Sequence, residues 1–177
     1  SYMQESFANF RFRIAGCGTA LPNAALTNET LAGELGVEQQ WILDRCGIET
    51  RYQSAGDETT LSLAVAASQR ALALSPTPAP DLVLCSTFTP QYLLCPTAPA
   101  VAKELGLPPI GAFDINAACS GAAIGFLTAL NFLATGFSKR LLLVCSDTPT
   151  KYLNATDRNT RILMGDGAAA MVLETTD

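Results

Sequence analysis

The segment 113–135 constrains the fold of this chain most, because within it an apolar strand passes directly into an apolar helix. Residues 113–130 read FDINAACSGAAIGFLTAL, and Cys119 stands at the junction. The helix, from about residue 119 to 135, has almost no polar face, and such a helix needs burial on every side. The rest of the sequence supplies strands for only one covering sheet. A second apolar layer is therefore expected to pack on this helix.

Strands and helices alternate through the rest of the chain. Predicted strands lie in RFRIAGCGTALP, DLVLCSTF, IGAFDIN, RLLLVCSD and DGAAAMVLE, and predicted helices in TNETLAGELG, VEQQWILDRCG, TTLSLAVAASQRALAL and TAPAVAKELG. Thr27 or Asn28 would cap the first helix, while Gly36 and Gly47 would end the first two. Uniformly apolar strands that alternate with helices indicate an α/β fold, with a mostly parallel sheet and helices on both faces.

Composition excludes several functional classes. The net charge is −5, and no basic run is longer than Lys139–Arg140, so a nucleic-acid partner is not expected. The most apolar segment, 117–137, is typical of a core helix, so no membrane partner is expected either. The six cysteines are widely spaced and the chain has no histidine, which favours a reduced cytoplasmic protein without a metal site or a disulfide framework. The opening SYMQESFANF does not resemble a signal peptide.

Cys119 is the candidate nucleophile. A thiol at a helix N-terminus faces unpaired backbone N–H groups and the positive end of the helix dipole, which both favour the thiolate. The flanking residues 117, 118 and 120–122 are small and would let a substrate approach the sulfur. The ordinary alternative is a small buried hydrophobic side chain, the role expected of Cys17, Cys85 and Cys145. The residues alone leave both alternatives open.

Trp41 is the only tryptophan, and Arg45 follows it one helical turn later. Such a pair could stack a nucleotide base and contact a phosphate, although the spacing alone favours a half-buried tryptophan beside a surface arginine. Arg158, in TDRNTR, has no distinguishing context by itself. The glycine motifs GCGTALP and GDGAAAMVL do not predict a phosphate-binding loop, because the first lacks a third glycine and the second enters a strand.

Taken together, FDINAACSG, WILDRCGIETR, TDRNTRILMGDGAAAMVL and RLLLVCSD resemble the first half of the 3-oxoacyl-(acyl carrier protein) synthase III family. This is a family of condensing enzymes in the thiolase superfamily, and the similarity extends from about residue 11 to the end of the chain. The resemblance implies a thiolase-like fold in which residues 1–177 form the N-terminal half of a two-half αβαβα layered structure. The C-terminal half would lie outside this chain.

The resemblance also implies roles for particular residues. Cys119 would accept the acyl group from acyl-coenzyme A, and its backbone N–H would bind the oxyanion. Trp41 and Arg158 would enclose the adenine of coenzyme A, with Arg45 near the phosphates. The loop 87–96 would lie at a homodimer interface and help close the neighbouring acyl pocket. The expected partners are acyl-coenzyme A as substrate, acyl carrier protein and a second copy of the chain, with no further cofactor.

The implied reaction is condensation of the acyl group with a malonyl-type extender on carrier protein, with loss of CO2, in fatty acid or polyketide biosynthesis. One alternative is an acyltransferase of the same fold that passes the acyl group to an alcohol, amine or carrier thiol. Another is a non-catalytic partner subunit of a heterodimer. The chain departs from the family pattern at Cys46, where threonine is usual, and at Val37, where a hydroxyl residue often begins the tryptophan helix. The family's histidine and asparagine lie beyond residue 177.

Overall fold

The computed structural model of the protein describes residues 10–176, so most of the opening segment SYMQESFANF lies outside the described residues. The large sheet consists of β1 (Phe12–Ala20), β4 (Leu82–Ser86), β5 (Gly111–Ile115), β6 (Arg140–Asp147) and β7 (Gly167–Thr175), and the small sheet of β2 (Ala24–Thr27) and β3 (Thr50–Gln53). The helices are α1 (Asn28–Leu35), α2 (Gln39–Cys46), α3 (Thr60–Leu74), α4 (Thr97–Glu104), α5 (Gly121–Ala134) and α6 (Arg158–Arg161).

The large sheet is mixed. Its strands lie in the order β1-β7-β6-β4-β5. Strand β4 is parallel to β5 and β6, whereas β7 is antiparallel to β6 and β1. Four of the five strands run in the same direction and only β7 is reversed, so the prediction of a mostly parallel sheet is confirmed for strand direction. It is wrong for two of the four strand pairings, β1 with β7 and β7 with β6, which are antiparallel. The reason is that segment 148–166 contains no helix long enough to return the chain across the sheet. Strand β7 therefore starts at the same end of the sheet at which β6 finishes, and it runs antiparallel to β6.

Helices cover both faces of this sheet, as predicted. Side chains on a strand alternate between faces, and β4 is buried along its whole length. Val83 and Cys85 pack with residues of α3 and α4, whereas Leu82 and Leu84 pack with residues of α5. The two apolar clusters on either side of β4 form the main core.

Helix α5 packs on the sheet through one narrow stripe. The buried residues of the helix are spaced four apart: Gly121, Gly125, Ala129 and Leu133. On the remaining surface, Ile124 is 42% exposed and Leu127 is 56% exposed. The burial expected on every side is thus not supplied by residues 10–176, and the second apolar layer stays a prediction. None of the helices in this range is long and apolar enough to span a membrane.

The small sheet and helices α1 and α2 form a module with its own apolar cluster, built on Leu31 and Ile42. The predicted helix ends are confirmed here. The Thr27 hydroxyl accepts a hydrogen bond from the N–H of Thr30, and Gly36 and Gly47 end the two helices with φ of 63° and 66°, which favours glycine. The sequence does not predict β2 and β3, because each has only four residues and their pairing is not local.

An ion cluster joins three strands at the end of the large sheet opposite the carboxyl ends of β4–β6. Glu174 on β7 accepts hydrogen bonds from Arg13 on β1 and Arg140 on β6. Burial alone would raise the pKa of Glu174, but the hydrogen bonds and charges of the two arginines outweigh it and hold the pKa below its usual value. This cluster stabilises the antiparallel part of the sheet.

Candidate active site

Cys119 lies in a 3-10 turn, Ala118–Ser120, between the carboxyl end of β5 and the start of α5. Its side chain is exposed. Ala118 has φ of +46° and is the one non-glycine residue with positive φ between residues 10 and 176. Such a conformation costs on the order of 1–3 kcal/mol. The structure thus places the thiol at the predicted junction, just before α5 rather than inside its first turn.

Local hydrogen bonds hold this turn. The N–H of Ser120 donates to the carbonyl of Ala117 at 3.1 Å, and the N–H of Ala118 donates to Asn116 Oδ1 at 3.3 Å. The backbone N–H of Cys119 has no hydrogen-bond partner within the described part of the chain. It is therefore free to bind an oxyanion that forms next to the sulfur.

Close packing against β4 fixes the position of the turn. A Cβ atom built on Gly121 would lie 2.1 Å from Ser86 Oγ, far inside van der Waals contact. Ser86 is the last residue of β4 and is buried. The start of α5 can approach β4 this closely only because residue 121 has no side chain.

The other cysteines lie in different environments, and all six are free thiols. Burial raises the pKa of Cys85 well above its ordinary value. Burial, followed by the charge of Asp147, raises the pKa of Cys145 to about 11. Both thiols are therefore protonated at neutral pH and poorly reactive. No cluster of three or more potential metal-ligating side chains occurs among the residues that the structure describes.

The expectation that Cys17 is buried is wrong, because its side chain is exposed. The neighbouring Gly16 and Gly18 lie against the backbone of α3 at Ala71 and Ala67. Because successive residues of a strand face opposite sides, Cys17 points to the other face of β1, where no helix of the described residues buries it.

The structure brings together the three residues predicted for a nucleotide site. The guanidinium carbon of Arg45 lies 4.2 Å from the centroid of the Trp41 ring, and that of Arg158 lies 5.4 Å from it. These distances are in the range of cation–π contacts. Neither guanidinium forms an ion pair with a carboxylate between residues 10 and 176. A half-buried indole beside two unpaired cations suits a planar base that carries phosphates.

One carboxylate orders the loop after β4. Asp147 Oδ1 accepts hydrogen bonds from the Thr87 hydroxyl at 2.9 Å, the Phe88 N–H at 2.8 Å and the Thr89 hydroxyl at 2.8 Å. The Thr60 hydroxyl donates to the carbonyl of Thr89 at 2.6 Å. The buried threonines and Asp147 thereby fix residues 87–89 at the carboxyl end of β4.

An apolar cleft of about 520 Å³ opens beside this loop. Its lining includes Phe88, Pro90, Leu93, Pro149, Tyr152 and Met164. The loops that form it follow β4 and β6, so it opens on the sheet edge that also carries Cys119. Leu93 and Leu94 are 92% and 96% exposed, an unusual exposure for two adjacent leucines.

Two residues that organise the site are not found by sequence reasoning. Asp147 carries a detectable signal, since it directly follows an apolar strand at the carboxyl edge of a sheet, where α/β proteins place functional groups. Arg51 on β3 is buried and carries no such signal, because an arginine in a short strand is normally exposed.

The chain matches known proteins over most of its length. The family model of 3-oxoacyl-[acyl-carrier-protein (ACP)] synthase III matches residues 113–177. The beta-ketoacyl-[acyl-carrier-protein] synthase III of Erythrobacter litoralis is 42% identical over 166 residues, which are 93% of this chain and 52% of that protein. The chain belongs to the 3-oxoacyl-(acyl carrier protein) synthase III family. It spans about half the length of the curated relatives that it matches.

Solved structures of this family have the same fold. The synthase III of Pseudomonas aeruginosa is 38% identical with a TM-score of 0.89, over 94% of this chain and 52% of that one. The priming beta-ketosynthase of the R1128 polyketide pathway is 33% identical with a TM-score of 0.89, over 94% of this chain and 50% of that one. The prediction of an α/β, thiolase-like fold is confirmed.

Proposed function

We propose that the protein containing this chain is a condensing enzyme of the β-ketoacyl synthase III type. It moves an acyl group from acyl-coenzyme A to Cys119 and joins it to a malonyl-type extender on acyl carrier protein, with loss of CO2. The observation that carries the proposal is the exposed Cys119 in a strained turn at the carboxyl edge of the sheet, in a chain of this family. The relatives are named as beta-ketoacyl-[acyl-carrier-protein] synthases III, which supports the same activity.

In the first half-reaction, the thiolate of Cys119 attacks the thioester carbonyl. The tetrahedral oxyanion accepts a hydrogen bond from the unpartnered backbone N–H of Cys119. Collapse of this intermediate breaks the bond to the coenzyme A sulfur, which leaves as a thiolate and takes up a proton. The acyl group then remains on Cys119 as a thioester, so that one difficult step becomes two easier ones.

The nucleotide end of coenzyme A is assigned to the Trp41 cluster. The adenine stacks on the indole, with the guanidinium group of Arg158 beside it, and Arg45 contacts the phosphates. The close approach of both arginines to the ring and the absence of an ion pair from either arginine to a carboxylate within the described residues support this assignment. The chain carries a net charge of −5, so these cations are a local exception that favours a phosphorylated ligand.

The acyl chain is assigned to the apolar cleft beside residues 87–89. The enzyme is expected to act as a homodimer. The cleft is open on one side and flanked by the exposed Leu93 and Leu94. Exposed apolar side chains at the mouth of a binding cleft are typical of a surface that another protein covers. Within the described residues, strand β5 is an edge strand that pairs with β4 alone, and its free edge offers a second surface for a copy of the chain.

In the second half-reaction, the extender loses CO2, and the resulting carbanion attacks the acyl carbonyl on Cys119. The carbon–carbon bond forms as the carbon–sulfur bond breaks, which frees the thiolate and releases a 3-oxoacyl carrier protein. The chain contains no histidine, so the groups that polarise the extender thioester are expected outside these 177 residues. No further cofactor is required. The six free thiols support a reducing, cytoplasmic location.

A double readout on the full-length protein tests this proposal and separates the alternatives. Acyl-coenzyme A is supplied with malonyl carrier protein that is labelled in its free carboxylate. Stoichiometric release of CO2 and 3-oxoacyl product is the expected result, with the 3-oxoacyl product lost in Cys119→Ala. Acyl transfer to another acceptor without CO2 release would indicate the acyltransferase, and failure to form any acyl-enzyme would indicate a non-catalytic subunit.

A further inference from the structure

Arg51 is a buried cation without a carboxylate partner among residues 10–176. It lies on β3 and is 5% exposed. Its Nη1 donates to Asn28 Oδ1 at 2.8 Å, and its Nη2 donates to the carbonyls of Ile162 at 2.9 Å and Ile48 at 3.3 Å. Its Nε is buried and has no hydrogen-bond partner in the described part of the chain. The guanidinium is thus held by neutral oxygens and by a longer contact of 4.0 Å from Nη2 to Cys46 Sγ.

Such an arrangement is a poor way to stabilise a core. Burial lowers the pKa of Arg51, which reflects the cost of taking the charge out of water. An apolar side chain of similar size often packs at least as stably in such a position. The fixed, planar set of donors on arginine instead suits a role that depends on geometry, since it can hold several backbone segments at defined distances.

The segments that Arg51 joins are those that carry the proposed nucleotide site. The carbonyl of Ile48 follows directly after α2, which carries Trp41. The carbonyl of Ile162 ends α6, which carries Arg158. Asn28 begins α1, and its amide group also donates to the carbonyl of Ile48 at 2.8 Å. One guanidinium therefore connects both sides of the Trp41–Arg158 contact.

Helix α6 depends on such external support. It has only four residues, far fewer than a helix needs to be stable by itself. Asp157 caps its first turn by accepting from the N–H of Asn159 at 3.0 Å. At the other end, the carbonyl of Ile162 is held by Arg51.

We propose that Arg51 is a positioning residue for the nucleotide of coenzyme A, which sets the distance between the Trp41 ring and Arg158 by tying the end of α2 to the end of α6. It does not touch the ligand and takes no part in the chemistry at Cys119. This inference rests on the proposed function for the identity of the nucleotide, but the geometry that it concerns is independent of the reaction.

The test compares two acyl donors on Arg51→Met in the full-length protein. One donor is acyl-coenzyme A and the other is the acyl-pantetheine thioester, which has the same reacting group but no nucleotide. We expect KM for acyl-coenzyme A to rise about tenfold, a factor within the range that the loss of base stacking on an aromatic ring produces. Acylation by acyl-pantetheine stays unchanged. Arg11→Met, which removes an exposed arginine outside this module, serves as the control for the loss of charge.

A binding measurement makes the test independent of catalysis. Quenching of Trp41 fluorescence by coenzyme A, corrected with Trp41→Phe, should weaken by the same factor in Arg51→Met. Equal losses with both donors, or unchanged quenching by coenzyme A, would overturn the proposal. If Arg51→Met does not fold, Asn28→Ala decides the matter, because it keeps the arginine and removes one of its acceptors. If the wild-type protein is acylated by neither donor, the result counts against the proposed function. The quenching measurement alone then tests the role of Arg51.

Discussion

The contact between Gly121 and Ser86 gives the sharpest test of how the fold positions the nucleophile. Gly121 has helical backbone angles, φ −57° and ψ −38°, so alanine is compatible with its backbone. The added methyl group would nevertheless lie 2.1 Å from Ser86 Oγ, and contacts of Cβ atoms below 3.0 Å are essentially never observed. The Ser86 hydroxyl must therefore rotate away within its buried surroundings, or the start of α5 must move by about 1 Å, at a typical overpacking cost of about 1–3 kcal/mol.

We expect the start of α5 to move, and this movement should reach Cys119, because only Ser120 separates Cys119 from Gly121. A displacement of about 1 Å at a reacting group can reduce the rate by about a hundredfold. We expect Gly121→Ala to lower the rate of Cys119 acylation by one to two orders of magnitude on that basis, with a smaller effect on KM. Single-turnover acylation by acyl-coenzyme A and chemical denaturation of the full-length protein measure the two effects.

Two further variants isolate the cause. Gly33→Ala places the same methyl group in α1, where nothing lies within 4 Å of it, and it should leave acylation unchanged. Ser86→Ala combined with Gly121→Ala removes the clashing oxygen and should recover most of the lost rate. If Gly121→Ala acylates as fast as Gly33→Ala, or if the double variant shows no recovery, the reasoning is refuted.

Three more predictions concern other parts of the molecule. Trp41→Ala should raise KM for acyl-coenzyme A far more than it lowers kcat, since stacking on a base contributes about 1–3 kcal/mol; steady-state kinetics would contradict this with a large loss of kcat at unchanged KM. Cys85 and Cys145 should resist alkylation of the native protein at about pH 8, because their raised pKa values keep them protonated while the exposed Cys119 reacts; rapid labelling of either in peptide maps would disprove it. Because the pKa of Glu174 is lowered on folding, its contribution to stability is present above the usual value of 4.5 and lost as the pH falls through the folded value. Thermal unfolding should therefore show a larger deficit for Glu174→Gln near neutral pH than in acid, and an equal deficit at all pH values would exclude this linkage.

The sequence predicts the local features of this fold well and the long-range ones poorly. Helix ends at Thr27, Gly36 and Gly47 follow from capping preferences that act within a few residues. The antiparallel direction of β7 does not follow from such local preferences, because it depends on where segment 148–166 leads the chain. The exposure of Cys17 has the same origin, since the covered face of β1 is decided by the distant helix α3.

The candidate site divides in a similar way. The strand-to-helix junction at Cys119 is visible in the local pattern, whereas the positive φ of Ala118 is not, because alanine normally avoids that conformation. Trp41 and Arg45 are neighbours in sequence, but Arg158 joins them only through the tertiary fold, and only the family resemblance predicts that it does. The burial of Arg51 has no local signal, since the oxygens that hold it come from three separate segments.

The site of acylation is the most direct test of the central claim. The full-length protein is incubated with acyl-coenzyme A, and its intact mass and peptide map are recorded. We predict one acyl group, located on the peptide that contains Cys119 and absent from Cys119→Ala. An acyl group on any other cysteine, or one that persists in Cys119→Ala, would contradict the assignment of Cys119 as the nucleophile.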